Sequence, residues 1–378
     1  MKKTQNGDDA DQLSELGYPV HVFIDTSTLE RMQFPFGLPR LQPLMDRLDA
    51  GDIRVVISDV VACEIREHVS AHVIKAEKAH AKFRRDATIT KIINDPDIPV
   101  VITEVDWEAV RKATLAAVDL FFKTPGVEAI PIHGEDAVGV FADYFACRAP
   151  FGEGKKKSEF PDSFAMKGLL KYAQAKGCKI GVVSEDGDWQ AACRDHDELI
   201  HCSSLEQVVD HSQVAKAALH NEIRQLLEGH RTQLESAVLE SFQDRGFYWD
   251  SDAGYDSEVE ETYDEEVESW SWSVIATDGD YADIAGDACI HFRATASYPD
   301  PDSCFRDPDT KELVFFGHVH ATLVSRVTVQ VRVRVNVESL RRNELKFKEL
   351  IVEDDGDIWF SEDEIEEIDT DNEDYDTN

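Results

Sequence analysis

No stretch of this chain approaches the ~18 uninterrupted apolar residues that a membrane-spanning helix needs, and the N-terminal MKKTQNGDDADQLSELGY has no apolar core of the kind a secretory signal carries. The expectation is a cytoplasmic protein with no membrane partner. Cysteines are few and unpaired in pattern. Seven of them, an odd number without any Cys-x-x-Cys, give no disulfide framework and fit reducing surroundings, where most would serve as small buried apolar groups. Positive charge is also short. The chain has 39 Lys+Arg against 76 Asp+Glu, a formal net charge of -37, which at first argues against a nucleic-acid partner because affinity for a polyphosphate usually comes from basic surface.

The distribution of charge softens that objection. Residues 1–250 carry 29 Lys+Arg and 41 Asp+Glu, a balance of -12, whereas residues 251–378 carry 10 and 35, a balance of -25. Most of the excess therefore lies outside the N-terminal part, and carboxylates that hold a cation show a substrate the charge of the cation. With 378 residues, 42% hydrophobic and 30% charged, the chain is long enough for two domains with real cores.

Apolar runs and helical patterns alternate over the first half. YPVHVFID reads as a strand, PRLQPLMDRLDAG as a helix, IRVVISDVV as a second strand and CEIREHVSAHVIKAEKAHAKFRRDATITKI as a long helix. IPVVIT follows as a short strand, then the helix WEAVRKATLAAVDLFFK, a loop from Thr124 to Gly134, the helices EDAVGVFADYFACRA and SFAMKGLLKYAQAKG, and the strand CKIGVVSED. Such alternation predicts an α/β fold with a mostly parallel sheet flanked by helices.

Val214 to Phe242 reads as one long helical run, a connector or a dimer helix. Asp250 to Glu268 holds ten acids and no Lys or Arg, as a solvated linker does. Beyond it SWSWSVIA, ACIHFRATASY, VFFGHVHATLVSRVTVQVRVRVNV and KFKELIVEDDGDIWF alternate with period two, predicting a second, β-rich domain of antiparallel strands. Ser361 to Asn378, with ten acids among 18 residues, reads as a disordered tail. The expected boundaries are a flexible 1–18, an α/β domain over 19–211, a helical connector over 212–249, the acidic linker 250–268, the β-rich domain 269–360 and the tail 361–378.

Four acids stand at strand ends or helix starts: Asp25 in VFIDTST, Glu64 in VVISDVVACEI, Asp162 in FPDSFAM and Asp186 in VVSEDGDW. In an open α/β sheet, ligands bind in the crevice beyond the carboxyl ends of the strands. Carboxylates delivered there repel one another unless a hard divalent cation lies between them, and such an ion can activate water against a phosphodiester. Each acid also has a bland reading. Asp25 and Asp162 suit helix N-caps, Glu64 suits the positive end of a helix dipole, and a turn explains one acid in SEDGDW though not three. Adhesion-domain metal sites would need a hydroxyl where Leu29 stands, and aspartyl phosphatases a second Asp where Ser27 stands, so both fit worse.

Taken in order, a strand-end Asp, a helix-start Glu, a helix-start Asp and a Ser-x-Asp followed by an aromatic resemble the PIN-domain nucleases of bacteria over about residues 19–210. The resemblance implies a Rossmann-like parallel sheet. It also implies that Asp25, Glu64, Asp162 and Asp186 form the acidic quartet holding Mg2+ or Mn2+, with Asp188 as an additional ligand and Ser184 as the hydroxyl of the fourth motif. Hydrolysis of nucleic acid, RNA rather than DNA, would leave 5′ phosphate and 3′ hydroxyl ends. Two departures stand out: Glu64 and Asp162 are further apart than in compact members, as a helical insertion would make them, and FPDS replaces the usual basic residue before the third acid.

Lys155, Lys156 and Lys157, just before Asp162, together with Arg84 and Arg85 on the helix after Glu64, are the expected phosphate contacts. The resemblance also allows a homodimer, and the second domain or the acidic tail offers a surface for a protein partner. The rival expectation is a scaffold without catalysis; a third is a nuclease silenced by its own tail, as in a toxin or phage-defence setting. Cys193, His196, His201 and Cys202 lack the spacing of zinc motifs, the loop from Asp250 to Glu261 has Tyr255 where a calcium loop needs glycine, and His318 and His320 read as sheet residues.

Overall fold

Strands β1 (Val20–Ile24) and β2 (Ile53–Ser58) are buried along nearly their whole length, which is how β-branched runs behave when helices cover both faces of a parallel sheet. The computed structural model describes residues 13–87, 104–134, 136–148, 151, 159–250, 258–300, 303–309, 313–352, 357–361 and 364–370. The chain divides into two units, Met1–Leu219 and His220–Asn378.

In the first unit β1 leads into α1 (Thr26–Arg31), a short 3-10 turn (Pro39–Leu41) and α2 (Gln42–Asp49), and β2 leads into α3 (Asp59–Asp86). Then come α4 (Trp107–Phe122), β3 (Val127–Ile130), α5 (Asp136–Phe145), α6 (Phe160–Lys176), β4 (Ile180–Val183), α7 (Gly187–Asp195), β5 (Leu199–Cys202) and α8 (Leu205–Glu228). The five strands are parallel in the order β3-β2-β1-β4-β5. β1 is central, the chain first builds outward to β2 and β3, and then returns to β4 on the other side, so the order reverses between β1 and β4. Ile24 lies opposite Val183 there. The core beneath includes Val22, Phe23, Val55, Ile65, Leu169 and Val182, each worth about 1.5–3 kcal/mol on full burial.

The sheet differs from expectation in its third strand. Residues 98–103, IPVVIT, lie outside the described residues, and β3 is formed by VEAI, inside the segment expected as a loop. Gly126, at φ +88°, turns the chain into that edge and accepts from the Val55 N–H at 2.8 Å. Four residues with only Ile130 fully buried carry too little apolar signal to be read as a strand.

The second unit is an antiparallel sheet in the order β12 (Phe347–Val352), β11 (His318–Asn336), β8 (Tyr281–Pro299) and β7 (Glu258–Thr277), with β14 (Ile365–Thr370) also on β11. Its long strands are β7, β8 and β11, joined by the short pair β9 (Cys304–Arg306) and β10 (Leu313–Phe315). The helix α9 (Arg231–Gln243), the one-turn α10 (Val337–Arg341), and β12, β13 (Ile358–Ser361) and β14 complete it, with β13 parallel to β6 (Phe247–Asp250). Phe242, Phe247, Phe292 and Phe360 form an aromatic centre with ring separations of 5.0 to 5.8 Å.

Three expectations are corrected here. The run Val214–Phe242 is two helices, broken at Gly229 and His230, and the supposed connector ends in strand β6. Of the supposed acidic linker, residues 258–268 are the first half of β7. Of the supposed tail, residues 365–370 are β14, while 371–378 lie outside the described residues. Acid-rich segments become strands because bases face them: Arg326 bonds Glu268 of β7 at 2.6 Å and Glu366 of β14 at 3.0 Å, and Arg293 and His320 lie near Asp264 and Glu260.

Candidate active site

Asp25 follows the last residue of β1 and Ser184 the last residue of β4, so the two face each other across the point where the strand order reverses. Their contact is direct. Ser184 Oγ donates to Asp25 Oδ2 at 2.8 Å and accepts from the Asp186 N–H at 3.0 Å. The Asp25 N–H reaches Val183 O at 3.0 Å, Thr28 Oγ1 donates to the same carbonyl at 3.1 Å, and Ser27 Oγ also donates to Asp25 Oδ2. Asp25 occupies the N-cap position of α1 but its side chain makes no capping bond; it is buried and serves the cleft instead.

Ser58 caps α3, accepting from the Val61 N–H at 3.3 Å. Glu64 therefore falls in the second turn rather than the first, facing α1, where Thr26 Oγ1 donates to Glu64 Oε2 at 3.1 Å. Burial pushes the Glu64 carboxyl upward, opposed by the Thr26 bond and His68 and reinforced by the charges of Asp25 and Glu67. Asp162 is the third residue of α6, inside the first turn. Burial, then the charge of Asp25, a hydrogen bond with Glu159 and the charges of Glu64 and Glu159 push its carboxyl up to about 8. Three carboxylates from three elements thus share one electrostatic environment.

Asp186 caps α7, its Oδ1 accepting from the Asp188 N–H at 2.9 Å. Asp186 is tied to Ser184 by its backbone N–H and Asp188 only to Asp186, whereas the charges acting on Asp162 come first from Asp25, Glu64 and Glu159. Trp189 holds this end of α7 by packing on Phe23 of β1, ring centroids 4.8 Å apart. Lys155, Lys156 and Lys157 lie outside the described residues. Arg84 and Arg85 do not belong to the cleft: twenty residues of α3 separate Arg84 from Glu64, about 30 Å at ~1.5 Å per residue, and Arg84 bonds Glu104 at 3.1 Å.

Two features went unread in the sequence. Glu159 lies three residues before Asp162, a helical spacing that puts both on one side. Glu30 of α1 bonds His72 at 3.0 Å and His68 at 3.4 Å, and His68 lies 3.9 Å from Glu64, so a chain of ionisable groups backs the second acid. The His72 bond holds the Glu30 carboxyl below the usual range. Cys193, His196, His201 and Cys202 make no metal cluster: His201 Nε2 is bonded to Ser184 O at 2.8 Å, and burial pushes the Cys193 thiol up to about 12. All seven cysteines are free.

Residues 22–189 match the family model described as the PIN domain. This segment is a PIN domain. The match begins inside β1 and ends at Trp189, so it spans all four motifs that carry the acids. PIN domains are generally nucleases that use divalent metal ions and act on nucleic acid, which makes this PIN domain a nuclease in the coarse sense. No curated protein matches the chain. The donor set suits a hard cation, being all oxygen and anionic, with an acid whose proton affinity its neighbours have raised. Among the described residues, no three His, Cys, Asp or Glu side chains are drawn together closely enough to hold an ion as they stand. No helix among them is long and apolar enough to cross a membrane.

Proposed function

We propose that the protein is a cytoplasmic, metal-dependent ribonuclease that hydrolyses phosphodiester bonds at the carboxyl edge of β1 and β4. The observation that carries this is geometric: Asp25 and Ser184 meet at 2.8 Å across the switch point, Glu64 is tied to α1 through Thr26, and Asp162 stands in the first turn of α6 where burial and the charges of Asp25, Glu64 and Glu159 push its carboxyl up. Such mutual repulsion is a lasting cost to a scaffold but an advantage to a site that binds a divalent cation. Asp25, Glu64, Asp162 and Asp186 would hold Mg2+ or Mn2+, with Asp188 as an additional ligand. The bound ion supplies acidification of an attacking water and neutralisation of phosphate charge.

The chain's own residues set the rest. Ser184 and Ser27 both donate to Asp25 Oδ2 and fix that carboxylate. Thr26 fixes Glu64. At neutral pH Asp162 retains its proton without an ion and releases it when one binds. RNA is taken as the polymer from family resemblance, and the second unit as the part that recruits a partner.

The test is cleavage of labelled single-stranded RNA and DNA with Mn2+ or Mg2+, comparing the parent with Asp25→Asn at matched folding. Metal-dependent cutting that vanishes in Asp25→Asn, with RNA cut faster, is the expected result. Equal cutting by both proteins refutes the assigned site, and inertness of both supports a scaffold.

A further inference from the structure

A carboxylate site that works on a polyphosphate needs cations of its own to hold the strand, because a bound ion offsets only part of the negative charge gathered there. Several cations of the first unit are committed elsewhere. Arg47 and Lys216 hold the buried Asp52 at the amino end of β2, Arg66 bonds Asp119 of α4 at 2.9 Å, and Lys167 and Lys171 are held by Asp143 and Asp136 of α5. Arg31, the last residue of α1, is placed differently.

Helix α1 divides its residues between two neighbours. Thr26 and Glu30, four apart, turn to α3, where they bond Glu64 and the histidines His68 and His72. Ser27 and Arg31, also four apart, share a second side of the helix. Ser27 Oγ donates to Asp25 Oδ2, the oxygen that Ser184 Oγ also reaches, and the Arg31 guanidinium pairs with the carboxylate of Glu185, the residue between Ser184 and Asp186. Arg31 is thereby held on the β4 side of the acidic edge, against the loop that carries two of the proposed site residues.

The backbone fixes where that side chain starts. After Arg31 the chain turns sharply, with Gln33 and Phe34 both in the left-handed region at φ 59° and 48°, and their N–H groups bond Glu30 O and Leu29 O at 2.8 Å. Two such residues in succession are costly without glycine, and burial of Phe34 in the core holds them. The bond to Glu185 is weak by comparison. The two side chains are 47% and 54% exposed, and exposed ion pairs contribute little because water screens them and two long side chains must be ordered. A phosphodiester group offers a guanidinium the same pair of oxygens that Glu185 offers.

We infer that Arg31 grips a backbone phosphate of the substrate strand beside the acidic site, giving up Glu185 in exchange. This rests on the nuclease reading and adds to it the residue that holds the strand at the rim. Glu185 keeps the guanidinium at the loop until a strand arrives. Because the contact is to the backbone, Arg31 selects no base.

The test is binding of a short fluorescent single-stranded RNA to the full-length protein in chelator, so that nothing is cut, from about 50 to 200 mM salt. The proteins are the parent, Arg31→Ala, Arg31→Gln, Arg31→Lys, Glu185→Gln and the double change Arg31→Ala, Glu185→Gln. Arg31→Ala weakens binding roughly tenfold, as loss of one charge-assisted contact does, and flattens the slope of log K against log salt by about 0.7. Arg31→Gln, which can still bond Glu185, behaves as Arg31→Ala does and decides the point should the latter melt below the parent. Arg31→Lys keeps the slope and loses only the fork. Glu185→Gln frees the guanidinium and tightens binding about 1.5- to 5-fold where Arg31 is present, and does less in the Arg31→Ala background. In cleavage with Mn2+, Arg31→Ala raises KM and leaves kcat within about twofold, as loss of uniform binding does.

Equal affinity and equal salt slope in the parent, Arg31→Ala and Arg31→Gln overturn the assignment, and if the parent still cuts in a manner that needs Asp25, the nuclease reading stands without it. A Glu185→Gln effect of the same size in both backgrounds overturns the exchange. A parent that neither binds nor cuts any strand removes both readings.

Discussion

Replacing Asp162 by Asn makes the chelated protein more stable at neutral pH, although it removes a carboxylate from the candidate active site. The parent carboxyl, raised from 3.8 to about 8 in the fold, is protonated in the folded state at pH 7 and ionised in the unfolded chain. Its folded value lies above its unfolded one, so its contribution is fully present below about pH 4 and is lost as pH rises toward 8. At ~1.4 kcal/mol per unit, the cost at pH 7 is on the order of 2 to 4 kcal/mol, the lower figure allowing for water that reaches a partly exposed group.

Asn does not titrate and escapes that cost. For a unit of this size ~1 kcal/mol corresponds to ~2–4 °C, so Asp162→Asn melts about 4 to 16 °C above the parent at pH 7 in chelator, followed by circular dichroism. At pH 5 the advantage falls to less than half, since only about one pH unit separates the solution from the unfolded pKa. Saturating Mn2+ reverses the order, because the ion stabilises the parent by mass action and not the variant. A variant no more stable than the parent at pH 7, or an advantage that does not shrink at pH 5, would show that these carboxylates do not repel one another as described.

Ser184→Ala, which removes the link between Asp25 Oδ2 and the Asp186 N–H, costs about 1–3 kcal/mol by leaving buried partners unpaired; a urea midpoint equal to the parent's would count against that link. Asp52 is fully buried among Tyr18, Arg47 and Lys216, and those bonds outweigh burial to hold it below the usual carboxylate range. Its stabilisation is present above about pH 4 and is lost as pH falls through the depressed folded value, so Asp52→Ala destabilises by ~3–5 kcal/mol at pH 7 and converges on the parent in acid titrations. The double change Arg84→Ala, Arg85→Ala leaves kcat/KM for a short oligonucleotide within about twofold, given the ~30 Å of helix between Arg84 and Glu64; a tenfold loss would place those residues on the substrate.

The parts of this protein that were legible in its sequence are those where one physical demand dominates. Runs such as VHVFI and IRVVIS are apolar because both faces are covered, and the first gives way at once to Asp25 while the second closes on Ser58, because the buried strand ends there. β3 escaped because an edge strand of four residues has little to bury. The first half of β7 escaped because its acids are offset by Arg293, His320 and Arg326 on other strands, which no local count reveals. In α5 the apolar stripe of Val138, Phe141 and Phe145 was visible, but its spacing reads as inward until Lys167 and Lys171 are known to lie beneath the acids Asp143 and Asp136. The acids proposed for the site stand out in the sequence by their position at strand ends and helix starts. Glu159 and the Glu30–His68 support do not, because they act through neighbours brought in from other turns.

The most direct test of the account is calorimetric titration of the full-length protein with Mn2+ at pH 7 in two buffers of different ionisation enthalpy, beside Asp25→Asn and Asp162→Asn. The parent is predicted to bind the ion with release of close to one proton, the one Asp162 holds at that pH. Asp25→Asn should bind far more weakly, and Asp162→Asn without the proton. Saturable binding that is unchanged in both variants, or no binding by the parent at millimolar Mn2+, would contradict the claim that these carboxylates are gathered to hold a metal.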